Sequence, residues 1–365
     1  MSEHSLLINL SALIQKPTGI SVYAHNLVPE LQALEPTILS SHPFTDTKCL
    51  PVSSRLTPEH GFRGHLRRLW WLQSSLPKIY QDLKSRLIFS PLPEAPLYSN
   101  CQIVITVHDL IPLRFPRTFS PLTQYFRHFV PHIVRQAVHI ICDSDSTARD
   151  LEQFYQISRR KITTVPLAYD QDHFTPTEDV DKPIIQQERP YFIYIGRQDS
   201  YKNIGRLISA FSMVASRTDT ELWVVGPRDN RYSPTLLTQV QELNLAHRVR
   251  FLDYVSYSKL PSLLRNALAL TFPSLWEGFG LPALEAMACG TPVITSNLSS
   301  LPEVVGGAAI LINPYKVSEL ADAMTILAHD NQLRQSLRLK GLEQARQYSW
   351  GKTGQQTMNI LKQFV

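Results

Sequence analysis

Two doubly wound α/β domains facing each other across a cleft are the fold class this sequence predicts, and three observations predict it. The chain has 365 residues, more than one hydrophobic core usually organises, so two domains are expected. Apolar runs of strand length alternate with helix-length segments through both halves, the pattern of βαβ units and parallel sheets. A polar, charged stretch from Asp170 to Pro190, carrying Pro176 and Pro183, separates the two alternations. It reads as a linker between a domain 1–180 and a domain 181–365, with the C-terminal helix able to pack back onto the first.

In chain order, the first half offers strands at Leu6 to Leu10, Ile103 to Val107, Val138 to Cys142 and Ile162 to Val165. Helices are expected from Pro121 to Gln136 and from Ser144 to Gln156. The second half begins with a strand at Tyr191 to Ile195 and a helix at Ile204 to Ser216. Strands follow at Leu222 to Val225, Val249 to Leu252, Leu268 to Phe272 and Pro292 to Thr295. Between them lie helices at Pro234 to Leu243, Ser258 to Asn266 and Pro282 to Cys289, and Val317 to Gln347 reads as helical.

Composition narrows the function classes. A hydrophobic fraction of 43% and a charged fraction of 18% suit a soluble globular protein and exclude a largely disordered chain. The net charge of +5 is spread evenly, 17 basic against 16 acidic residues in 1–180, so nucleic acid is not an expected partner. Cys49, Cys101, Cys142 and Cys289 form no metal-ligand spacing and read as reduced core residues of a cytoplasmic protein. The apolar stretch Leu6 to Ile14 lacks a preceding Lys or Arg and fits a first strand better than a signal peptide. No apolar run approaches the roughly 18 residues of a membrane span. Glycine is unevenly placed, 3 in residues 1–180 and 11 in 181–365, which directs attention to the second half.

The densest chemistry lies from Pro273 to Pro292, directly after a buried-type strand, where doubly wound sheets place ligands. Gly278 and Gly280 allow close backbone approach, Pro282 suits the start of a helix and Gly290 its end. A glycine loop feeding a helix N-terminus favours phosphate. Glu277 falls in that loop and Glu285 in the helix, so each could grip a hydroxyl pair of a polyol; the alternative is two solvated carboxylates.

This segment, E-G-F-G-L-P followed by E-A-M-A-x-G-x-P-V, resembles the E-x7-E signature of the retaining nucleotide-sugar glycosyltransferases of GT-B fold, glycosyltransferase family 4. The resemblance covers most of the chain and is densest from Tyr191 to Pro314. It implies a GT-B fold of two Rossmann-like domains, with the donor on the second and the acceptor on the first. It also implies that Glu277 contacts the donor sugar beside Gly278, Phe279, Gly280 and Leu281, and that Glu285 binds the ribose. A leaving nucleoside diphosphate gains negative charge, which two fixed cations can stabilise without a metal. Arg197 and Lys202, the latter opening a helix with Asn203, match the family's basic pair, although Tyr201 stands where an Arg is common.

In the first half, the resemblance extends to H-D-L-x-P-L-x-F-P, common in the mannosyltransferase-like branch, which implies that His108 faces the donor sugar. Thr18-Gly19-Ile20-Ser21 corresponds to the family's glycine loop after the first strand, with Gly19 approaching the diphosphate. Gly226 and Tyr254, each following a strand, are candidate base and ribose contacts and could equally be ordinary turns. Asp143-Ser144 and Asn297 to Glu303 also match the family, without an assigned role.

The remaining feature is basic and aromatic. Arg63, Arg67, Arg68, Trp70 and Trp71 lie together, with six basic residues against one acid between Gly61 and Phe89. Such interleaving suits peripheral contact with an anionic membrane surface or a lipid-linked acceptor. A solvated helix whose tryptophans pack inward is the competing reading.

The expectation is therefore a metal-independent hexosyltransferase of polysaccharide or glycolipid synthesis, cytoplasmic and peripheral at the inner membrane face. It would move a hexose, favoured as mannose from GDP-mannose, to a glycan or lipid-linked hydroxyl with retention, and use no cofactor. The alternatives are a nucleotide-sugar-binding partner subunit without transfer activity, and a phosphorylase or epimerase on the same fold.

Overall fold

The computed structural model describes residues 5–14, 19–44, 47–176 and 189–365. The chain divides into two compact units, Met1–Leu167 with Trp350–Val365, and Ala168–Ser349. The division thus falls at Leu167 rather than at 180, and residues 177–188 of the expected linker lie outside the described residues.

The first unit is built on a parallel sheet of β1 (Leu6–Leu10), β2 (Thr37–Ser40), β3 (Lys48–Pro51), β4 (Leu87–Ser90), β5 (Ile103–Val107), β6 (His139–Cys142) and β7 (Ile162–Thr164). Their order is β3-β2-β1-β4-β5-β6-β7, with β1 paired to both β2 and β4. The central strands β1, β4 and β5 are buried at every position, as expected where helices cover both faces. Two helices matter below, α1 (Gly19–Glu30) and α2 (Gly61–Asp82). The last helix, Trp350–Leu361, packs on α1: a Cβ at Gly354 would lie 2.1 Å from Glu30 Cβ, so only glycine admits this approach. Thr353 Oγ1 donates to the Pro166 carbonyl at 2.8 Å, which explains why the chain's end groups with its first half.

The second unit carries β8 (Tyr191–Ile195), β9 (Glu221–Val225), β10 (Val249–Leu252), β11 (Ala269–Phe272), β12 (Val293–Ser296) and β13 (Ile310–Ile312). All pairings are parallel, and the order is β10-β9-β8-β11-β12-β13. Strands are added outward from β8 in one direction, then from β11 in the other, so the sheet reverses between these two neighbours. That reversal is where an open α/β sheet leaves a crevice for ligands. Beneath it the core is aromatic: Tyr191 and Trp223 stack at 3.8 Å, both buried.

Two helical expectations are broken by local chemistry. The segment Pro121 to Gln136 forms Pro121–His128 and Val130–Gln136, interrupted just before Pro131, which has no N–H to continue the ladder. Val317 to Gln347 forms Val317–His329 and Asn331–Ala345, because Asp330 stops the first and caps the second by accepting from Leu333 N at 2.8 Å.

Candidate functional site

The loops after β8 and β11 converge at the reversal of the second sheet. Gly196 leaves β8 with φ +152°, and Gly226 leaves β9 with φ +144°, where a Cβ would fall 2.0 Å from the Gly196 carbonyl oxygen. The glycine at 226 is thus demanded by the neighbouring backbone, in keeping with the turn that the sequence left open beside a ligand contact.

Lys202 and Glu277 meet here. The Lys202 ammonium donates to Glu277 Oε1 at 2.7 Å and Oε2 at 2.9 Å, with side chains only 13% and 10% exposed. The same nitrogen lies over the rings of Tyr201 and Phe272, at 5.3 and 5.5 Å. The sequence reading gave the two residues separate targets; the structure pairs them. The pair still has capacity for a ligand, since an ammonium has three donors and a carboxylate about four acceptor sites.

The Glu277 loop is pinned from a second strand end. Glu277 N donates to Ser299 Oγ at 3.0 Å, and Ser300 Oγ lies 3.0 Å from the Glu277 carbonyl and 2.7 Å from that of Phe279. Gly280, with φ +115°, caps the helix Leu281–Ala288, and Gly290, with φ +74°, follows its end as expected. Gly278 and Leu281 flank this turn, with Leu281 as the first helical residue and Pro282 the second. Phe279 is buried edge-on against Tyr348, so a ligand would meet its backbone rather than its ring.

Asn203 departs from expectation. Its side-chain amide donates to the carbonyls of Pro273 at 3.0 Å and Pro314 at 2.7 Å, and its oxygen accepts from Arg206 at 2.9 Å. Buried and fully engaged, it fixes the β11 loop and does not face a ligand. Arg197 is exposed and leans on buried Asp199, with Nε 3.0 Å from Oδ2, while Arg231 approaches the other oxygen at 3.7 Å. Tyr254 is 79% exposed beyond the edge strand β10, two strands from the reversal, and this placement does not bring it to Lys202 and Glu277.

Glu285 lies inside the helix, and burial, reinforced by the nearby Asp170 charge, raises its pKa to about 7. Tyr257 is close enough to feel the same carboxylate, and its ring stacks on His173 at 4.2 Å.

On the first unit, His108 follows β5. Its Nδ1 lies 2.7 Å from Asp143 Oδ2 and its Nε2 3.0 Å from the Pro91 carbonyl, with Tyr23 edge-on at 4.9 Å. The Pro91 carbonyl is an acceptor, and Asp143 is one when ionised, so the geometry accommodates a proton on each ring nitrogen, the imidazolium form; burial opposes this by raising the Asp143 pKa, while the His108 charge and hydrogen bond lower it. Burial alone lowers its pKa, but the Asp143 charge and hydrogen bond, with Asp109 and the Pro91 carbonyl, outweigh this and hold it above the usual value. Gly19 opens α1, exposed, and a Cβ there would meet no atom within 4 Å; Thr18 lies outside the described residues.

The basic-aromatic stretch forms the first part of α2, and the structure divides it. Arg68 is buried, with Nε 3.0 Å from both Glu94 oxygens, Nη1 donating to the Leu56 carbonyl at 2.8 Å and Nη2 2.9 Å from His65 Nδ1. Trp71 is half-buried against the core. These two are therefore removed from the expected membrane-contact set, while Arg63, Arg67 and Trp70 are exposed.

Sequence reasoning passed over Asp143, Asp170, Asp199, Ser299 and Ser300 as site residues. Asp143 and the serines sat within recognised motifs, but which side chain each would hold depends on strand order, which a motif does not encode.

A doubly wound pair of parallel-sheet units, with a lysine–glutamate pair at the reversal of the second and a glycine-capped helix beside it, defines a GT-B glycosyltransferase. The chain belongs to glycosyltransferase family 4, in its mannosyltransferase-like branch. The family profile for glycosyl transferases group 1 matches residues 176–344, and that for glycosyltransferase family 4 matches residues 17–173. The chain is 30% identical to the O-antigen chain mannosyltransferase B of Escherichia coli, over 71% of this chain and 70% of that protein. It is 31% identical to the O-antigen chain mannosyltransferase RfbU of Salmonella typhimurium, over 85% and 87%. Among solved structures, the sucrose-phosphate synthase of Thermosynechococcus elongatus superposes with a TM-score of 0.80 at 20% identity, covering 99% of this chain and 98% of that one. Anabaena HepE in complex with UDP-glucose gives 0.77 at 17% identity, covering 98% and 99%.

Proposed function

We propose that this enzyme transfers mannose from GDP-mannose, with retention of configuration, to a hydroxyl of a glycan or lipid-linked acceptor in polysaccharide or glycolipid synthesis on the cytoplasmic side of a membrane. The Lys202–Glu277 pair at the reversal of the second sheet carries this reading. Two sequence relatives named as mannosyltransferases support the sugar. The structural likeness to HepE, at 17% identity, supports the fold alone and leaves the base to experiment.

In the reaction, the bond between the sugar C1 and the phosphate oxygen breaks with its electrons going to the diphosphate. The acceptor oxygen bonds to C1 on the same face, and its proton passes to the departing phosphate oxygen. The third Lys202 N–H and the exposed Arg197 guanidinium meet the charge that develops there, so no metal is assigned a role. Glu277 orients the sugar hydroxyls through its remaining acceptor sites, and the positive end of the helix beginning at Leu281 favours the phosphates. Glu285 takes the ribose diol. His108, as an imidazolium, supplies fixed charge rather than base catalysis.

Thermal stabilisation by a panel of GDP-mannose, UDP-glucose, UDP-galactose and GDP-fucose, followed by NMR of the anomeric proton in the product, tests the proposal. GDP-mannose is expected to stabilise most and to give an α-linked product. Preference for a UDP-sugar would overturn the donor, and a β-linked product would overturn retention.

A further inference from the structure

We infer that one face of α2 is an interfacial membrane contact, in which Phe62, Leu66 and Trp70 enter the headgroup region of an anionic bilayer while Arg63 and Arg67 pair with its phosphates. This extends the acceptor half of the proposed function to a specific surface.

The face is defined by helical spacing. Phe62, Leu66 and Trp70 recur every four residues and are 61%, 50% and 71% exposed. The buried stripe of the same helix is Gly64, Arg68, Leu72 and Leu76. At about 100° per residue the two stripes are centred roughly 140° apart, so the exposed one is not the margin of the core. Arg63 and Arg67 run beside it, also exposed, and no acid occurs between Gly61 and Gln81.

Two contacts fix this orientation. A Cβ at Gly64 would lie 2.3 Å from the Thr57 carbonyl oxygen, so the helix is pressed against the preceding turn. Arg68 engages Glu94, Leu56 and His65 at once and prevents rotation about the helix axis. A basic residue inside the helix thus holds an aromatic stripe outside it.

Charge and area select the occupant. Two aromatic side chains of about 150–250 Å² each and one leucine, partly covered by the helix itself, fall short of the roughly 800 Å² per partner of a stable protein interface. A bilayer needs no matching surface: shallow apolar insertion and a few basic residues suffice, and Trp and Phe beside Arg have the amphipathic character of an interfacial helix. The apolar stems of Arg63 and Arg67 can lie along the acyl boundary while their guanidinium groups reach the headgroups.

Co-sedimentation of the full chain with vesicles of phosphatidylethanolamine and phosphatidylglycerol (70:30), against phosphatidylcholine vesicles, tests this without donor or acceptor, so its failure would leave the transfer reaction untouched. The wild type is expected to bind the anionic vesicles at least tenfold more tightly. Phe62→Ser/Trp70→Ser and Arg63→Glu/Arg67→Glu should each lose at least tenfold, with melting temperatures within about 2 °C of wild type because all four side chains are exposed. Quenching of tryptophan fluorescence by brominated lipid should largely disappear in Trp70→Ser. Three results would overturn the inference: no binding to anionic vesicles; loss in the charge variant alone, meaning adsorption without insertion; or a concentration-dependent dimer abolished by the aromatic variant in place of vesicle binding, meaning that a second copy covers the face.

Discussion

Lys202 holds its ammonium 2.7 and 2.9 Å from the two oxygens of Glu277, and this contact joins the loop after β8 to the loop after β11. Because both side chains are nearly buried, removing one strands the charge of the other. Lys202→Ala and Glu277→Ala are each expected to cost about 3 kcal/mol of stability. The double variant should cost less than their sum, since the second change removes the stranded charge. Urea unfolding of the three variants measures this.

Glu285 gives the site a pH dependence. Its pKa is raised from 4.5 to about 7, so ionising it opposes folding: the penalty is absent below 4.5 and complete above 7. Glu285→Gln should therefore stabilise the protein at pH 8, by up to about 3 kcal/mol, and have little effect at pH 4.5. Donor affinity should move the other way, weakening as pH falls below about 7, if the ionised carboxylate grips the ribose. Melting temperature and calorimetric titration of the nucleotide across pH 5–8.5 read the two effects separately.

The His108–Asp143 contact predicts a protonation state. With its pKa raised by the carboxylate, the imidazolium contributes stability that is full below about 6.5 and lost as pH rises through the raised value. Nitrogen-15 NMR should show both His108 ring nitrogens protonated at pH 7. Asp143→Asn should lower its pKa and release a neutral ring; a wild-type ring already neutral at pH 7 would contradict the geometry.

Asn203 is expected to act on stability rather than on donor contact. It sits at φ +64° and satisfies two buried carbonyls, so Asn203→Ala loses both bonds and adds left-handed strain. Asn203→Gly loses the bonds without the strain. Alanine should be the more destabilising by about 1 kcal/mol, measured by chemical denaturation.

The architecture was legible because the buried strands are continuous apolar runs bounded by turns. Ile103–Val107 and Tyr191–Ile195, and Leu6–Leu10 with its one Asn9, stand where the apolar runs placed them. Strands β2, β3 and β13 were not expected; the equally short β7 and β10 were, so length does not explain the difference, and of the three β3 carries Lys48 and Pro51 in exposed surroundings. The four-residue β4, Leu87–Ser90, is fully buried and was also not expected, lying at the end of the stretch from Gly61 to Phe89 that was read for its basic residues. At the site, Glu277, Lys202, Gly280 and Gly290 were readable from local motif and helix-capping chemistry. That Asn203 serves the backbone, that Arg68 faces Glu94 and that Asp170 lies near Glu285 are consequences of tertiary packing. Sequence spacing carries no signal for them.

Lys202 and Glu277 of the second unit are expected to act on the donor. Single-turnover release of nucleoside diphosphate from the best-stabilising nucleotide sugar, by wild type, Lys202→Gln, Glu277→Gln and the neutral double variant, tests it most directly, with folding checked by circular dichroism. All three variants should lose at least a hundredfold in rate, and the double should be no slower than the product of the singles. A folded double variant releasing diphosphate at near wild-type rate would mean that the pair does not act on the donor.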